Sequence, residues 1–111
     1  MIRNTPLTPE AAELIARRFG ALSDPTRLRI IDLLRRQDEA SVGEIATAVG
    51  GSQQNVSKHL AALHSEGFVS RRKQGTSAIY RISDSGVHQI CDGISAGIEA
   101  QLAGMEAALG G

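Results

Sequence analysis

Tryptophan is absent from this chain, and phenylalanine and tyrosine together supply only three residues, Phe19, Phe68 and Tyr80. The core must therefore be built from Leu, Ile, Val and Ala, an aliphatic, alanine-rich composition that leans toward helix. Cysteine occurs once, at position 91. A lone thiol excludes an internal disulfide and with it the framework of a small secreted protein. No apolar run approaches the ~20 residues that cross a bilayer. The N-terminal MIRNTPLTPEAAEL lacks the apolar stretch of a signal peptide. These absences predict a cytoplasmic protein without a membrane span. There is also no Gly-rich phosphate loop and no metal-hydrolase motif. Ser57, His59 and Glu66 do not form a nucleophile, base and orienter, because Ser57 and His59 fall on different faces of one helix. An enzyme is not the expectation.

What is present suits one domain, spanning residues 1–111, with 41% apolar residues and a modest core. The net charge is zero, but it is unevenly spread. Residues 1–51 hold seven Arg against seven acids. Residues 52–83 hold Lys58, Arg71, Arg72, Lys73 and Arg81 against Glu66, a net +4. Residues 84–111 hold Asp84, Asp92, Glu99 and Glu106 with no Lys or Arg, a net −4. Positive charge is thus concentrated where a polyanion would be met. The plainer alternative is that Arg71-Arg72-Lys73 only protects an edge strand from aggregation.

The stretch from Gly50 to Ile82 organises the rest. Ser52 suits a helix N-cap, and Val56, Leu60 and Leu63 recur at helical spacing. Gln53, Gln54, Ser57, Lys58 and Ala61 share the other face. This face is rich in hydrogen-bonding groups and carries one formal charge. Gly67 ends the helix. Phe68–Lys73 and Ser77–Ile82 read as strands, with Gln74-Gly75-Thr76 turning between them. Upstream, Ser41 and Glu44 fit a capping box. A short helix from Val42 to about Val49 follows, with Ile45, Ala46 and Val49 buried. Gly50-Gly51 turns into the polar-faced helix. Residues 42–66 are therefore a helix-turn-helix and residues 68–82 a basic wing. The fold predicted is mainly α with a small β-hairpin: a winged helix-turn-helix of about five helices plus a two-stranded wing, dimerising through its terminal helices.

Those terminal helices frame the unit. Residues 1–7 are expected to be loose. Thr8-Pro9 starts a first helix over 8–20, with Ala11, Leu14, Ile15 and Phe19 in a stripe and Gly20 as the stop. Asp24-Pro25 starts a second, to about Arg36, with Leu28, Ile30, Ile31 and Leu34 on its buried face. Gln37 to Ala40 reads as a polar loop. Ser83-Asp84-Ser85 should cap a last helix over 86–109. Its apolar positions Val87, Ile90, Cys91, Ile94, Ile98, Leu102, Met105 and Leu109 form a stripe too long for one small domain to bury. The expectation is a homodimer whose interface includes Leu14, Ile90, Cys91, Ile94, Ile98, Leu102 and Met105. The alternative is a helix packed only on its own domain.

At this point the residues resemble a known family. Ala21-Leu-Ser-Asp-Pro-Thr-Arg-Leu-Arg-Ile-Ile-Asp-Leu-Leu34 is similar to the second-helix signature of the ArsR/SmtB repressors. Gln54-Asn-Val-Ser-Lys-His-Leu60 is similar to their recognition helix, and Gly67–Thr76 with Ile79-Tyr80-Arg81-Ile82 to their wing. The resemblance covers roughly residues 14–84. It implies a homodimeric repressor that binds a palindromic operator in double-stranded DNA and is released by an inducer, often a metal ion. Gln53, Gln54, Ser57 and Lys58 are then the candidates to read bases and touch phosphates, since Gln pairs bidentately with adenine and Lys reaches guanine or phosphate. Ser52 and Asn55 suit backbone phosphates. Arg71, Arg72, Lys73 and Gln74 suit phosphates or the minor groove. His59 is adjacent to this set, but its position beside Val56 and Leu63 reads first as a packed, hydrogen-bonded edge residue. Two recognition helices must meet successive major grooves about 34 Å apart, so a small rotation of the subunits switches affinity.

The familiar inducer sites of the family are not carried over. One uses cysteines on the third helix, where this chain has Ala40-Ser-Val-Gly-Glu-Ile45. Another uses Asp, His, His and Glu on the last helix, where only Asp84 matches and Gly86, Gly97 and Ala100 stand at the other positions. His88, Cys91 and Asp92 remain as a weak metal-ligand set, three and four residues apart on one helix side. The plainer reading is two solvated polar residues and a small buried hydrophobe. Oxidation of Cys91 against its copy is a further alternative, although a thiol in an apolar seam is a poor nucleophile. No cofactor is required, a metal ion is not favoured, and the inducer is not identified. A winged helix used as a protein-interaction module and an activator or ligand-free regulator stay open.

Overall fold

In the computed structural model the described residues are 5–110. The elements run α1 (Pro9–Leu22), α2 (Pro25–Gln37), β1 (Glu39–Ser41), α3 (Val42–Val49), α4 (Gln53–Ser65), β2 (Val69–Gln74), β3 (Ser77–Ile82) and α5 (Gly86–Leu109). Of the seven N-terminal residues expected to be loose, 1–4 lie outside the described residues, and Thr5–Leu7 precede α1 without regular structure.

The start signals act as the sequence suggests. The Thr8 hydroxyl accepts from the Ala11 N–H at 3.1 Å. Asp24 Oδ1 accepts from the N–H groups of Thr26 and Arg27 at 2.8 and 3.1 Å. Ser41 and Glu44 complete a reciprocal capping box at α3, with bonds of 3.1 and 2.9 Å. Each cap satisfies donors that a helix start otherwise leaves unpaired. At the other ends, Gly50 (φ +74°) and Gly67 (φ +80°) take the left-handed turns after α3 and α4. Gly20 does not stop α1, which continues to Leu22 because Ala21 and Leu22 bury against the core. At α5 the cap is partly corrected. Ser85 makes no side-chain cap bond, and Asp84 Oδ1 instead accepts from the Gly86 N–H at 2.9 Å.

The loop expected at Gln37–Ala40 is in fact the approach to a third strand. Asp38, with φ +72°, turns the chain out of α2. Glu39–Ser41 then pairs antiparallel with β3, matching Ala40 to Tyr80, and β3 pairs with β2, matching Arg71 to Tyr80. The sheet order is β1-β3-β2, so the wing is rooted on a three-stranded sheet rather than a free hairpin.

One apolar cluster joins α2, α3, α4, the sheet and the start of α5. Ile30, Ile31, Ile45, Val56, Leu60, Leu63 and Val87 are fully buried there. Each such side chain contributes roughly 1.5–3 kcal/mol relative to exposure. Leu28, expected on the buried face of α2, is 44% exposed, and Leu33 is buried in its place. Val49 is only half-buried. The apolar stripes of α1 and α5 behave differently. Leu14, Phe19, Ile94, Ile98, Leu102 and Met105 are all at least half exposed in this single chain. The Cα radius of gyration is 16.9 Å, whereas a compact chain of this length has about 13 Å. The excess comes from α5, whose 24 residues make a rod about 36 Å long.

Candidate nucleic-acid interface

The polar face of α4 is open. Gln53, Gln54, Asn55, Ser57 and Lys58 are exposed, while Val56, Leu60 and Leu63 hold the opposite side in the core. The Ser52 oxygen accepts from the Asn55 N–H at 3.1 Å, which fixes the helix start and leaves the hydroxyl hydrogen to donate elsewhere. The free N–H groups and dipole at this end favour an anion such as a phosphate. The starts of α3 and α4 lie side by side: a Cβ on Gly43 would be in ordinary contact with Gln53 Nε2, at 3.5 Å. Arg29 donates to the carbonyls of Val49 and Ala48 at 3.0 and 3.4 Å. A cation at the end of α3 is the sign its dipole favours.

Strand alternation divides the basic run of the wing. Val69 is buried, so Arg71 and Lys73 share its side of the sheet, the side that carries the core and α4. Arg72 points to the other side, where it donates to Glu39 Oε1 at 2.9 Å. Arg81, on that same outer side, lies 3.6 Å from Asp38. Among the described residues no carboxylate pairs with Lys58, Arg71 or Lys73. The wing charge is thus uneven: Arg71 and Lys73 are uncompensated beside α4, and Arg72 is already paired with Glu39. Gln74 ends β2 at the turn, where Gly75 takes φ +65°.

His59 is half-buried, and its Nδ1 accepts from Arg27 Nε at 3.1 Å. Asp24 Oδ1 is 3.9 Å from the same nitrogen. Backbone bonding, first from Arg27, holds the Asp24 carboxyl below the ordinary carboxylate range. His59 is therefore tied to α2 as an edge residue. Arg27, Arg29 and Glu39 had no signal in the sequence, because no spacing rule joins residues such as 27 and 59, which are 32 apart.

The candidates on α5 are drawn toward α2. Arg35 Nε donates to His88 Nδ1 at 3.1 Å, and its Nη2 bonds Asp92. That carboxylate holds the guanidinium proton more tightly than usual. Cys91 is half-buried against the core. Among the described residues no three His, Cys, Asp or Glu gather as a metal site; His88 and Asp92 are bonded by Arg35, and Cys91 packs against the core. Asp84, the survivor of the other family pattern, accepts from Arg18 at 2.5 Å. Arg18 in turn lies 4.8 Å from the centre of the Phe68 ring. Ile90 and Cys91, with exposed Phe19, Leu28, Ile94 and Ile98, line an open apolar groove of about 590 Å³ between α1, α2 and α5.

Among the described residues, five helices, a Gly turn between α3 and α4 and a hairpin wing define the class: a winged helix-turn-helix. The profile of the "Bacterial regulatory protein, arsR family" matches residues 24–71. The chain is 37% identical over 93 residues to the nodulation protein NolR of Rhizobium meliloti, covering 81% of this chain and 75% of that protein. It is 43% identical over 65 residues to the arsenical resistance operon repressor of Escherichia coli, covering 59% and 56%. The solution structure of a homodimeric winged helix-turn-helix domain from Mycobacterium bovis superposes with a TM-score of 0.75 at 32% identity, over 89% of this chain and 91% of that one. The chain belongs to the arsR family of bacterial regulatory proteins. Among the described residues no helix is long and apolar enough to cross a membrane.

Proposed function

We propose that this chain is the subunit of a homodimeric transcriptional repressor that binds a palindromic operator and lets go when an inducer reaches the dimer interface. The observation that carries this reading is the shared placement of two surfaces. The exposed polar face of α4 and the unpaired Arg71 and Lys73 lie on one side of the sheet. Gln53, Gln54, Ser57 and Lys58 read base edges and Asn55 and Ser52 seat the backbone, while Arg71, Lys73 and Gln74 add phosphate or minor-groove contacts. The exposed stripes of α1 and α5 meet their copies, which sets two α4 helices one DNA turn apart. The protein performs no reaction of its own, and its place is the cytoplasm, where the operator lies.

The test is fluorescence anisotropy on duplexes selected from a random pool, repeated across salt. Selective binding whose log affinity falls linearly with log salt is the expected result. Salt-insensitive or absent binding overturns it in favour of a protein-interaction module. The same assay with zinc, nickel, cadmium, copper(I) and arsenite, on wild type and Cys91→Ser, addresses the inducer. Release by one ion that the substitution abolishes would assign sensing to α5. Binding that no ion alters moves the search to oxidants and small molecules.

A further inference from the structure

The DNA-reading helix is held at one flank by a single side chain from α2, and that side chain also reaches the end of α1. Arg27 donates from Nε to His59 Nδ1 at 3.1 Å and from Nη1 to the Ala21 carbonyl at 3.3 Å. Its own backbone N–H is fixed by the Asp24 cap at 3.1 Å. The same Asp24 oxygen stands 3.9 Å from His59 Nδ1. One guanidinium thus links three helices, with a carboxylate closing the cluster. In this arrangement Nδ1 is the acceptor.

We infer that His59 and Arg27 are positioning residues for DNA recognition. They set the angle of α4 against the α1–α2 corner, and so the separation of the two reading helices in the dimer. This inference rests on the DNA-binding reading above. The buried face of α4 is three aliphatic side chains, Val56, Leu60 and Leu63, which carry no directional bond. A charge-assisted hydrogen bond at the flank supplies direction. His59 shares that flank with Asn55, one turn nearer the helix start, so a small roll of α4 moves the phosphate-seating end. The pair acts on specificity through geometry, and neither residue needs to touch a base.

The experiment uses the full chain and two duplexes: one selected from a random pool, and the same duplex with one base pair inserted at its centre. His59→Leu removes the acceptor and keeps an apolar edge. It should lower affinity for the selected duplex by roughly tenfold or more, the scale of one charge-assisted bond. It should also narrow the preference between the two duplexes. His59→Asn places an amide oxygen close to the position of Nδ1 and should restore both values, whereas His59→Gln, which reproduces the Nε2 side, should not. Arg27→Lys should match His59→Leu, and the double variant should be no worse than either, as for partners in one interaction. Thermal melts identify any variant that fails to fold, and Arg27→Lys then carries the test. Rescue by Gln rather than Asn overturns the inference and assigns His59 a direct DNA contact. Unchanged duplex preference in His59→Leu and Arg27→Lys overturns it as well. If the wild type selects no duplex at all, the DNA-binding reading falls first and takes this inference with it.

Discussion

Helices α4 and α5 solve opposite problems with the same periodicity. In α4 the exposed face is polar and the buried face is aliphatic, so the helix is complete within one chain. In α5 Val87 alone is fully buried, and the exposed side carries Ile94, Ile98, Leu102 and Met105. An amphipathic helix that hides its apolar face has a surface left over for recognition. One that displays its apolar face has its partner still to come. The charges follow the same division: the net +4 lies on the α4-and-wing segment and the net −4 on the α5 segment. Within the α5 segment, however, Asp84 and Asp92 are already opposed by Arg18 and Arg35.

The largest effect that would sharpen this contrast is expected at the seam. Ile94→Glu should yield monomers in sedimentation and cost roughly 10²–10⁴-fold in operator affinity, the range that linked sites lose when uncoupled. A variant that stays dimeric would break the comparison. Next comes the reading face. Gln54→Ala should lose about 1–3 kcal/mol of discrimination at one base pair, visible when single-substitution duplexes are compared, with little change in dimerisation. Smaller again is the wing. Arg71→Ala should weaken all sequences alike and reduce the salt slope by about 0.9. Arg72→Ala should move the slope less, because Glu39 already opposes that charge. Equal slopes for the two variants would refute the division of the wing by strand face.

The smallest expected effect concerns acid. Bonding from the Arg27 and Ser41 backbones holds Asp24 and Glu44 below their ordinary carboxylate range. A group lowered in the folded state contributes stability that is present above its unfolded value and lost as pH falls through the folded one. Thermal melts should therefore drop on the acid side, below about pH 4. Asp24→Asn with Glu44→Gln should flatten that limb while leaving the α5 seam unaffected.

The sequence made the helices legible because their signals are local. Ser41 and Glu44 announce α3, Ser52 and the Val56-Leu60-Leu63 spacing announce α4, and Gly75 marks the wing turn. β1 escaped notice because three residues, Glu-Ala-Ser, are too few to display alternation and carry weak strand preference. Gly20 was misleading because its tolerance of any backbone includes continuing a helix. The site was legible as a list of exposed polar residues, but not as a charge distribution. The partners that decide which cations are free, such as Glu39 for Arg72, are 33 residues distant. Leu28 looked like core because only the fold shows that it faces the open groove.

The pairing of Ala40 with Tyr80 has a consequence for how the molecule comes into being. The chain between these two residues contains the whole of α3, the turn, α4 and the first wing strand. That loop can close cheaply only once the helices within it have collapsed and drawn its ends together. The wing root should therefore be among the last parts to lock during folding, and slow to form compared with the local helices. Amides of β1, a three-residue edge strand, should then exchange their hydrogens faster than those of the helices it encloses.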